Sequence, residues 1–321
     1  MNALDSLIKK RSAYKNFSSD AVGKLNHAYL FICEDGVIRE RLLTLCAKKI
    51  FCPSECGVCP SCKGIEEETY LDAAFFNGAK TKVSDVSSMT EAAMVKPVEG
   101  DRKLFVVDNA DKLSAQAQNK LLKTYEEPPA YLTIILAAAS ENGILPTIKS
   151  RAKKLYFDGL TAKEAADYLV GEGADRRKAE IAAAIGDGNL EKAEFCLDSD
   201  NLSLYDSCFD LMSSLDSSAQ IPEYVLSELF SKDNVSTTFD IMEIILSDVL
   251  KLTTQSGLPL LNGGREYDVR NISKKYNAQS AAAALSAINE GRKMLNANVS
   301  ATSCAEYVTF NILEARYRWR Q

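Results

Sequence analysis

Histidine is almost absent from this chain: His27 is the only one in 321 residues, so imidazole acid–base or metal chemistry has one possible centre at most. Long apolar runs are missing too. The longest, around Leu132 to Ala139, is about strand-sized and falls far short of the ~18 residues that a membrane-spanning helix requires. Positive charge is in deficit, with 38 Lys and Arg against 44 Asp and Glu, a net charge of -6 and a pI near 5.2. A surface that clamps nucleic acid over its whole extent is therefore excluded, although a local basic patch is not. The amino-terminal stretch "MNALDSLIKKRSAYKNF" lacks the apolar core of a signal peptide and reads as one short amphipathic helix. No internal repeat occurs at solenoid periods. The expectation from these absences is a cytoplasmic protein without a membrane segment.

What is present is ordinary globular material: 46% hydrophobic and 26% charged residues. The length favours two or three domains. The first half alternates strand-like and helix-like segments, the pattern of helices packed on a mostly parallel sheet. Strands are expected at Tyr29 to Ile32, Asp72 to Phe76, Lys103 to Val107, Thr133 to Ala137 and Lys154 to Phe157. Helices are expected at Ile38 to Ile50, Val83 to Met94 and Ala115 to Glu126, the last stopped by Pro128 and Pro129. After Phe157 strand signals vanish. Three short helices follow, broken at Gly171 to Gly173 and Gly186 to Gly188, with Thr161 a good cap for the first. A polar joint, "DSDNLS" (Asp198 to Ser203), leads to a helical remainder that reaches Gln321, with breaks near Pro222 and across Ser256 to Gly264. The division expected is an α/β nucleotide-binding-like domain (1–157), a small three-helix domain (158–200) and an all-α domain (201–321).

The stretch "HAYLFICEDGVIRERLLTLCAKKI" has the strand–turn–helix form of a phosphate-binding loop, G-x-x-x-x-G-K-[ST], but little of its chemistry. Such a loop needs glycines to free backbone N–H groups, a lysine to meet phosphate charge and a hydroxyl for magnesium. Only Gly36 remains in the turn.

Four of the nine cysteines, Cys52, Cys56, Cys59 and Cys62, fall in "FCPSECGVCPSCKG". Two overlapping C-x-x-C pairs and a fourth thiol four residues upstream, set among Gly and Pro, suit a tetrahedral zinc site. It would be structural, because four thiolates leave no open position for a catalytic water. The competing readings are a disulfide pair, disfavoured in the cytosol, and an unliganded reduced cluster. Cys46, on the preceding helix, is the substitute ligand if Cys52 sits badly. Cys33, Cys196, Cys208 and Cys304 are isolated and read as small core residues.

"HAYLF", the loop position, the cysteine knuckle, "VKPVEGDRKLFVVDNADKLSAQAQNKLLKTYEEPP" and "LPTIKSRA" occur in the order found in subunits of bacterial DNA polymerase III clamp loaders. The chain resembles that family, and within it the delta-prime branch, over Met1 to about Leu197. The likeness continues more weakly through "INEGRKMLNANVSATSCAEYVTFNILE", which is similar to the family's final collar helices. The resemblance implies a P-loop NTPase-like (AAA+) domain carrying the zinc knuckle, a helical lid and an all-α collar that packs into a ring of related subunits.

Against the family's motifs, Cys33 and Ile38 stand where glycines belong, Arg39 where the lysine belongs and Glu40 where a Ser or Thr would meet magnesium. Side chains at the first two restrict backbone approach to phosphate, and Glu40 adds negative charge beside it. Arg39 keeps a residual capacity for an anion. Asp108 occupies the magnesium-partner position, but Asn109 replaces the glutamate that would polarise the attacking water and cannot be a general base. The sensing strand ends in Ala138 and Ala139 rather than a threonine or asparagine. Hydrolysis at this site is therefore not expected.

"KSRA" resembles the family's Ser-Arg-Cys motif, with Ala152 replacing the cysteine. The resemblance implies that Arg151 is an arginine finger acting in trans on a neighbouring ATP site; the alternative is an ordinary surface arginine beside Lys153 and Lys154. Lys192 stands near a second sensing position and reads as a solvated helix residue. His27 reads as a packing residue at the start of the first strand. Lys120, Lys123 and the Glu126 to Pro129 turn read as interface or structural elements. The implied partners are gamma/tau-type ATPase subunits and the delta subunit, with ATP, magnesium, the sliding clamp and primed DNA entering through them. Two other readings stand beside this one: an active gamma/tau-type ATPase, and a zinc-knuckle nucleic-acid adaptor.

Overall fold

The computed structural model describes residues 2–318 except 198, 259, 263 and 264. The expectations that fall on Asp198, Pro259, Gly263, Gly264 and Gln321 lie outside the described residues. The chain forms two compact units. The first runs to Glu164 and also includes Asn189–Glu191; the second comprises Ala165–Gly188 and the chain from Lys192 onward.

The first unit is built on five parallel strands: β1 (Ala28–Ile32), β2 (Ala73–Asn77), β3 (Lys103–Asp108), β4 (Leu132–Ala138) and β5 (Lys153–Tyr156), in the order β2-β3-β4-β1-β5. This is the parallel sheet that the alternating pattern implies, in keeping with the P-loop NTPase-like fold that the resemblance implies. β3 and β4 are near-continuous apolar runs because strands at the centre of a parallel sheet are covered on both faces. On one face Leu30, Val107, Ile134 and Leu136 pack with Val86 and Met89 of the helix Val83–Ala93 and Leu121 and Tyr125 of the helix Ala115–Glu126. Strand alternation sends Tyr29 and Phe31 to the other face. There Phe17 meets both rings, at centroid distances of 4.9 and 5.7 Å.

Register aligns Ile32 of β1 with Ala138 of β4, and Leu136 of β4 with Val107 of β3. The carboxyl ends of β1, β3 and β4 therefore meet at one sheet edge, where open α/β sheets bind ligands. The helix Gly36–Phe51 starts there, after a three-residue turn from β1, and its far end leads into the cysteine segment.

All five strands occupy the expected segments. The amino terminus differs from its expectation: two helices, Ala3–Lys10 and Ser12–Val22, replace the single one. Arg11 between them is extended (φ -75°, ψ 150°) and is ion-paired to Glu164. The break lets Leu4 and Ile8 of one helix and Ala13, Tyr14 and Phe17 of the other all be buried; a single straight helix would hold those residues to one continuous stripe.

Among its described residues the second unit has helices and connecting turns and no strand. The short helices Ala162–Gly171 and Leu190–Leu197, both of which begin within the first unit, and Arg176–Ile185 break at the expected glycines. Thr161 caps the first of them, its hydroxyl accepting from the Glu164 N–H at 3.2 Å. The expected polar joint is instead helical from Ser199, within Ser199–Ser214. The longest helices are Val235–Thr253, Ala278–Asn296 and Ala301–Arg318. Two buried charges organise this unit. Asp248 accepts from the backbone N–H groups of Leu261 (2.9 Å) and Asn262 (2.7 Å), and Arg316 donates to the Met212 carbonyl (2.8 Å) and the Tyr276 hydroxyl (2.7 Å). Among the described residues no helix is long and apolar enough to cross a membrane.

Candidate functional sites

The phosphate-loop position is formed as strand, turn and helix, and its polar groups are already paired. Asp35 caps the helix Gly36–Phe51, its carboxylate accepting from the Ile38 N–H at 3.1 Å. The second oxygen of Asp35 accepts from the Leu190 N–H at 2.5 Å. Burial pushes the Asp35 carboxyl above its ordinary pKa, against the pull of these backbone donors. Gly36 donates its N–H to Glu191 Oε2 at 2.9 Å. A Cβ at position 36 would lie 2.7 Å from that oxygen, so any other residue there would make the Glu191 carboxylate shift.

Arg39, at the lysine position, is only 5% exposed. Its Nε is ion-paired to Asp108, while Nη1 donates to the Cys33 carbonyl at 3.0 Å and Nη2 to Asn109 Oδ1 at 2.9 Å. The residual anion capacity expected of Arg39 is thus corrected: its guanidinium is committed inside the chain. Asn109 takes a left-handed conformation (φ 51°) and donates its backbone N–H to Asp108 Oδ1 at 2.7 Å. Ala138 is buried and Ala139 half-buried, and neither offers a polar atom from its side chain. Glu40 is exposed. The arrangement turns the site's charges on one another.

The sulfurs of Cys52, Cys56, Cys59 and Cys62 all lie within 4.8 Å of one another. Cys52 Sγ is 3.8 Å from Cys56 Sγ, equal to the edge of ~3.8 Å that a tetrahedron with zinc–sulfur bonds of ~2.3 Å demands. The turn is possible because Glu55 (φ 49°) and Gly57 (φ 75°) adopt left-handed conformations. Cys59 caps the short helix Pro60–Glu66, its sulfur accepting from the Cys62 N–H at 3.4 Å. Hydrogen bonds from Ser54 and then the Cys56 backbone pull the Cys52 thiol down to about 6, while burial pushes Cys62 up to about 12. The four residues fit a structural zinc ion. Cys46 is fully buried on the preceding helix and is no member of the cluster, so the substitute ligand is not needed. Cys33, Cys196, Cys208 and Cys304 are buried, as expected of core thiols.

Arg151 follows the helix Pro146–Lys149 with its side chain 38% exposed. It donates to Glu126 Oε1 at 2.8 Å and to the Thr147 carbonyl at 3.1 Å. Lys120 and Lys123 are exposed on the helix Ala115–Glu126, the helix that ends in Glu126. His27 is corrected from a packing residue to an exposed one: only its carbonyl enters the sheet, accepting from Ile134 N at 2.8 Å. Lys192 is 47% exposed and stands 3.9 Å from Asp240, so it is a paired rather than merely solvated residue.

Glu191, and the pairing of Glu126 with Arg151, carry no signal in the sequence. Glu191 lies 155 positions from its partner Gly36, and no local pattern marks such a pairing. Asp35 was more accessible, since an aspartate before a helical period is a capping signal.

Residues 9–161 match the protein family described as "DNA polymerase III, delta subunit". The DNA polymerase III subunit delta' of Bacillus subtilis is 24% identical over 325 residues, covering 98% of both chains. The DNA polymerase III subunit tau/gamma of Haemophilus influenzae is 34% identical over 152 residues, which is 46% of this chain and 22% of that one. The chain thus spans 22% to 29% of the length of the first tau-type relatives it matches. A solved gamma-subunit-related protein of Thermotoga maritima aligns over 94% of this chain and 99% of its own, at 16% identity and a TM-score of 0.48.

Proposed function

We propose that this chain is a delta-prime-like member of the DNA polymerase III clamp-loader family and a non-hydrolysing subunit of the bacterial replicative clamp loader, a reading supported by the family match over residues 9–161 and the likeness to the Bacillus subtilis subunit along nearly the whole chain. In this reading it packs beside gamma/tau-type ATPase subunits and the delta subunit and supplies Arg151 in trans to a neighbour's ATP site. ATP, magnesium, the sliding clamp and primed DNA enter through those partners. The observation that carries the reading is the contrast between two arginines. Arg39, in the chain's own loop, is buried on Asp108 and Asn109, whereas Arg151 is exposed and held by a surface pair. A guanidinium of that kind is available to stabilise charge on a transferring phosphoryl group, a role worth ~10³ to 10⁵ in rate.

Cys52, Cys56, Cys59 and Cys62 would hold a structural zinc ion, which supplies cross-linking of a segment with little core of its own and no reaction chemistry. The division into an AAA+-type domain (1–157), a lid (158–200) and a collar (201–321) belongs to the same reading. The rival gamma/tau-type ATPase would need a general base at position 109, where an amide stands.

The test is DNA- and clamp-stimulated ATP hydrolysis by the reconstituted complex with Arg151→Ala, once equal assembly is established. A fall of ~10³ or more supports the finger, the range being that of arginine fingers in other nucleotide hydrolases. Unchanged hydrolysis makes Arg151 a bystander and the subunit an architectural one.

A further inference from the structure

The break at Arg11 between the two amino-terminal helices is pinned by carboxylates from two distant parts of the sequence. Lys9 of the helix Ala3–Lys10 and Tyr14 of the helix Ser12–Val22 both meet Glu55: the Lys9 ammonium stands 2.9 Å from Glu55 Oε1, and the Tyr14 hydroxyl donates to the same oxygen. Lys49, on the helix Gly36–Phe51, stands 3.7 Å from Glu55 Oε2 and donates to the Pro53 carbonyl at 2.7 Å. Glu55 lies in the cysteine knuckle between Cys52 and Cys56, and its side chain is only 10% exposed. Arg11 itself is ion-paired to Glu164, and the Ser12 hydroxyl donates to Asp158 Oδ2 at 2.9 Å. Directly after Glu164 the chain leaves the first unit.

A second observation concerns the backbone at Glu55. A non-glycine residue at φ 49° is strained, and such a conformation persists where the contacts around it over-determine it. Here those contacts come from three helices, which place two ammonium groups and a phenol on one carboxylate. Leu4, Ile8, Ala13 and Phe17 also bury the two amino-terminal helices, but apolar packing is non-directional and leaves the angle at Arg11 to the polar contacts. The strained turn and the helices therefore hold each other, in a clasp centred on Glu55.

We propose that Glu55 couples the cysteine knuckle to the amino-terminal helices and, through Arg11 and Ser12, to the segment Asp158–Glu164, so that the state of the four thiols is transmitted to the place where the chain passes into the second unit. The part that concerns metal rests on the structural zinc site proposed above, whereas the clasp rests on Glu55, Tyr14 and Lys9. Coupling of this kind is reciprocal. Closing the knuckle's turn orders the helices, and loosening the helices weakens the hold of the four cysteines on a metal ion.

The experiment is hydrogen exchange of the full-length chain read by mass spectrometry, comparing wild type, Glu55→Ala, Tyr14→Phe and wild type stripped with EDTA, together with the rate at which each untreated chain releases zinc to a colorimetric chelator. Residues 3–22 and 158–171 are expected to exchange about tenfold faster in Glu55→Ala and in the stripped wild type, the effect of losing one hydrogen bond to a charged group, while β3 and β4 exchange as before. Tyr14→Phe keeps the ring and its packing; it is expected to release zinc several-fold faster, a change that a purely local role of the hydroxyl does not produce. It decides the matter by both readouts if Glu55→Ala does not fold. Faster exchange confined to residues 52–66 after stripping overturns the proposal, as does a Glu55→Ala chain that exchanges like wild type at 3–22 and 158–171. A wild type that carries no zinc overturns the zinc site, and Glu55→Ala then decides the clasp by itself.

Discussion

The loop at the head of the helix Gly36–Phe51 and the cysteine knuckle beyond its tail are two ligand-site scaffolds joined by one helix, and they have opposite internal balances. In the loop every donor named above meets an acceptor of the same chain: Gly36 with Glu191, Ile38 with Asp35, Arg39 with Asp108 and Asn109. In the knuckle four sulfurs converge within 4.8 Å of one another. Thiolates this close repel one another unless a positive charge sits among them. The loop's donors are satisfied from within the chain, whereas the four converging sulfurs are an arrangement that fits a bound zinc ion.

The comparison breaks most readily at the knuckle. Cys59→Ser, or a strong zinc chelator, is expected to cost several kcal/mol, because binding energy at a structural zinc site is folding energy. Thermal unfolding should then fall by roughly 10 °C, at ~2–4 °C per kcal/mol for a protein of this size class. Elemental analysis should find one zinc per chain in wild type and a loss in the variant. A zinc-free wild type with unchanged stability would remove the contrast altogether.

A smaller effect is expected at Arg39→Ala, which leaves Asp108 beside a vacated guanidinium site. Breaking a buried pair costs ~3–5 kcal/mol, and the partial exposure of Asp108 (21%) lowers that to about 2–3 kcal/mol. Denaturant unfolding measures it. A loss below about 0.5 kcal/mol would mean the pair is not the internal closure described.

Asp35→Ala removes the cap and the bond to the Leu190 N–H, for an expected loss of about 1–2 kcal/mol. Asp35→Asn should recover part of it, since the amide oxygen still accepts from Ile38 N–H; equal losses in both variants would show that charge, not capping, is what matters there.

The smallest effect concerns the helix between the two sites. Arg41 binds Asp5 and Glu66, and Lys48 also binds Glu66. Burial raises the Asp5 and Glu66 carboxyls, but these cations outweigh it and hold both below their ordinary pKa values. A depressed folded pKa contributes stability that is present above the unfolded value, ~4, and is lost as pH falls through the folded one. Wild type should therefore lose stability more steeply than Asp5→Asn below pH ~4, by about 1 kcal/mol for pairs this exposed. Parallel pH profiles would show that the clamp carries no stability.

Much of this was readable from residue order. Each strand follows from apolar runs bounded by turn residues, and the helices from their period. The cysteine cluster follows from spacing alone, because short loops of Gly and Pro leave four nearby thiols few places to go. The defects at Cys33, Ile38, Arg39, Glu40 and Asn109 are visible once the loop is laid against its motif. The single amino-terminal helix was misjudged because the apolar period continues on both sides of Arg11, while the turn there depends on the distant Glu164. His27 was misjudged because a strand's first residue takes its burial from what covers the sheet's rim, which its own neighbours do not encode.

By itself, then, the order of residues determined the element types, the thiolate set and the departures from the phosphate-loop motif, since each depends on positions within a few residues of one another. Only the tertiary structure decided the partners of these groups: Glu191 on Gly36, Arg39 on Asp108, Glu126 on Arg151. These pairs span 155, 69 and 25 positions. Electrostatic and hydrogen-bond partners at such separations are chosen by how the sheet and its loops bring chain ends together, and no local pattern carries that choice.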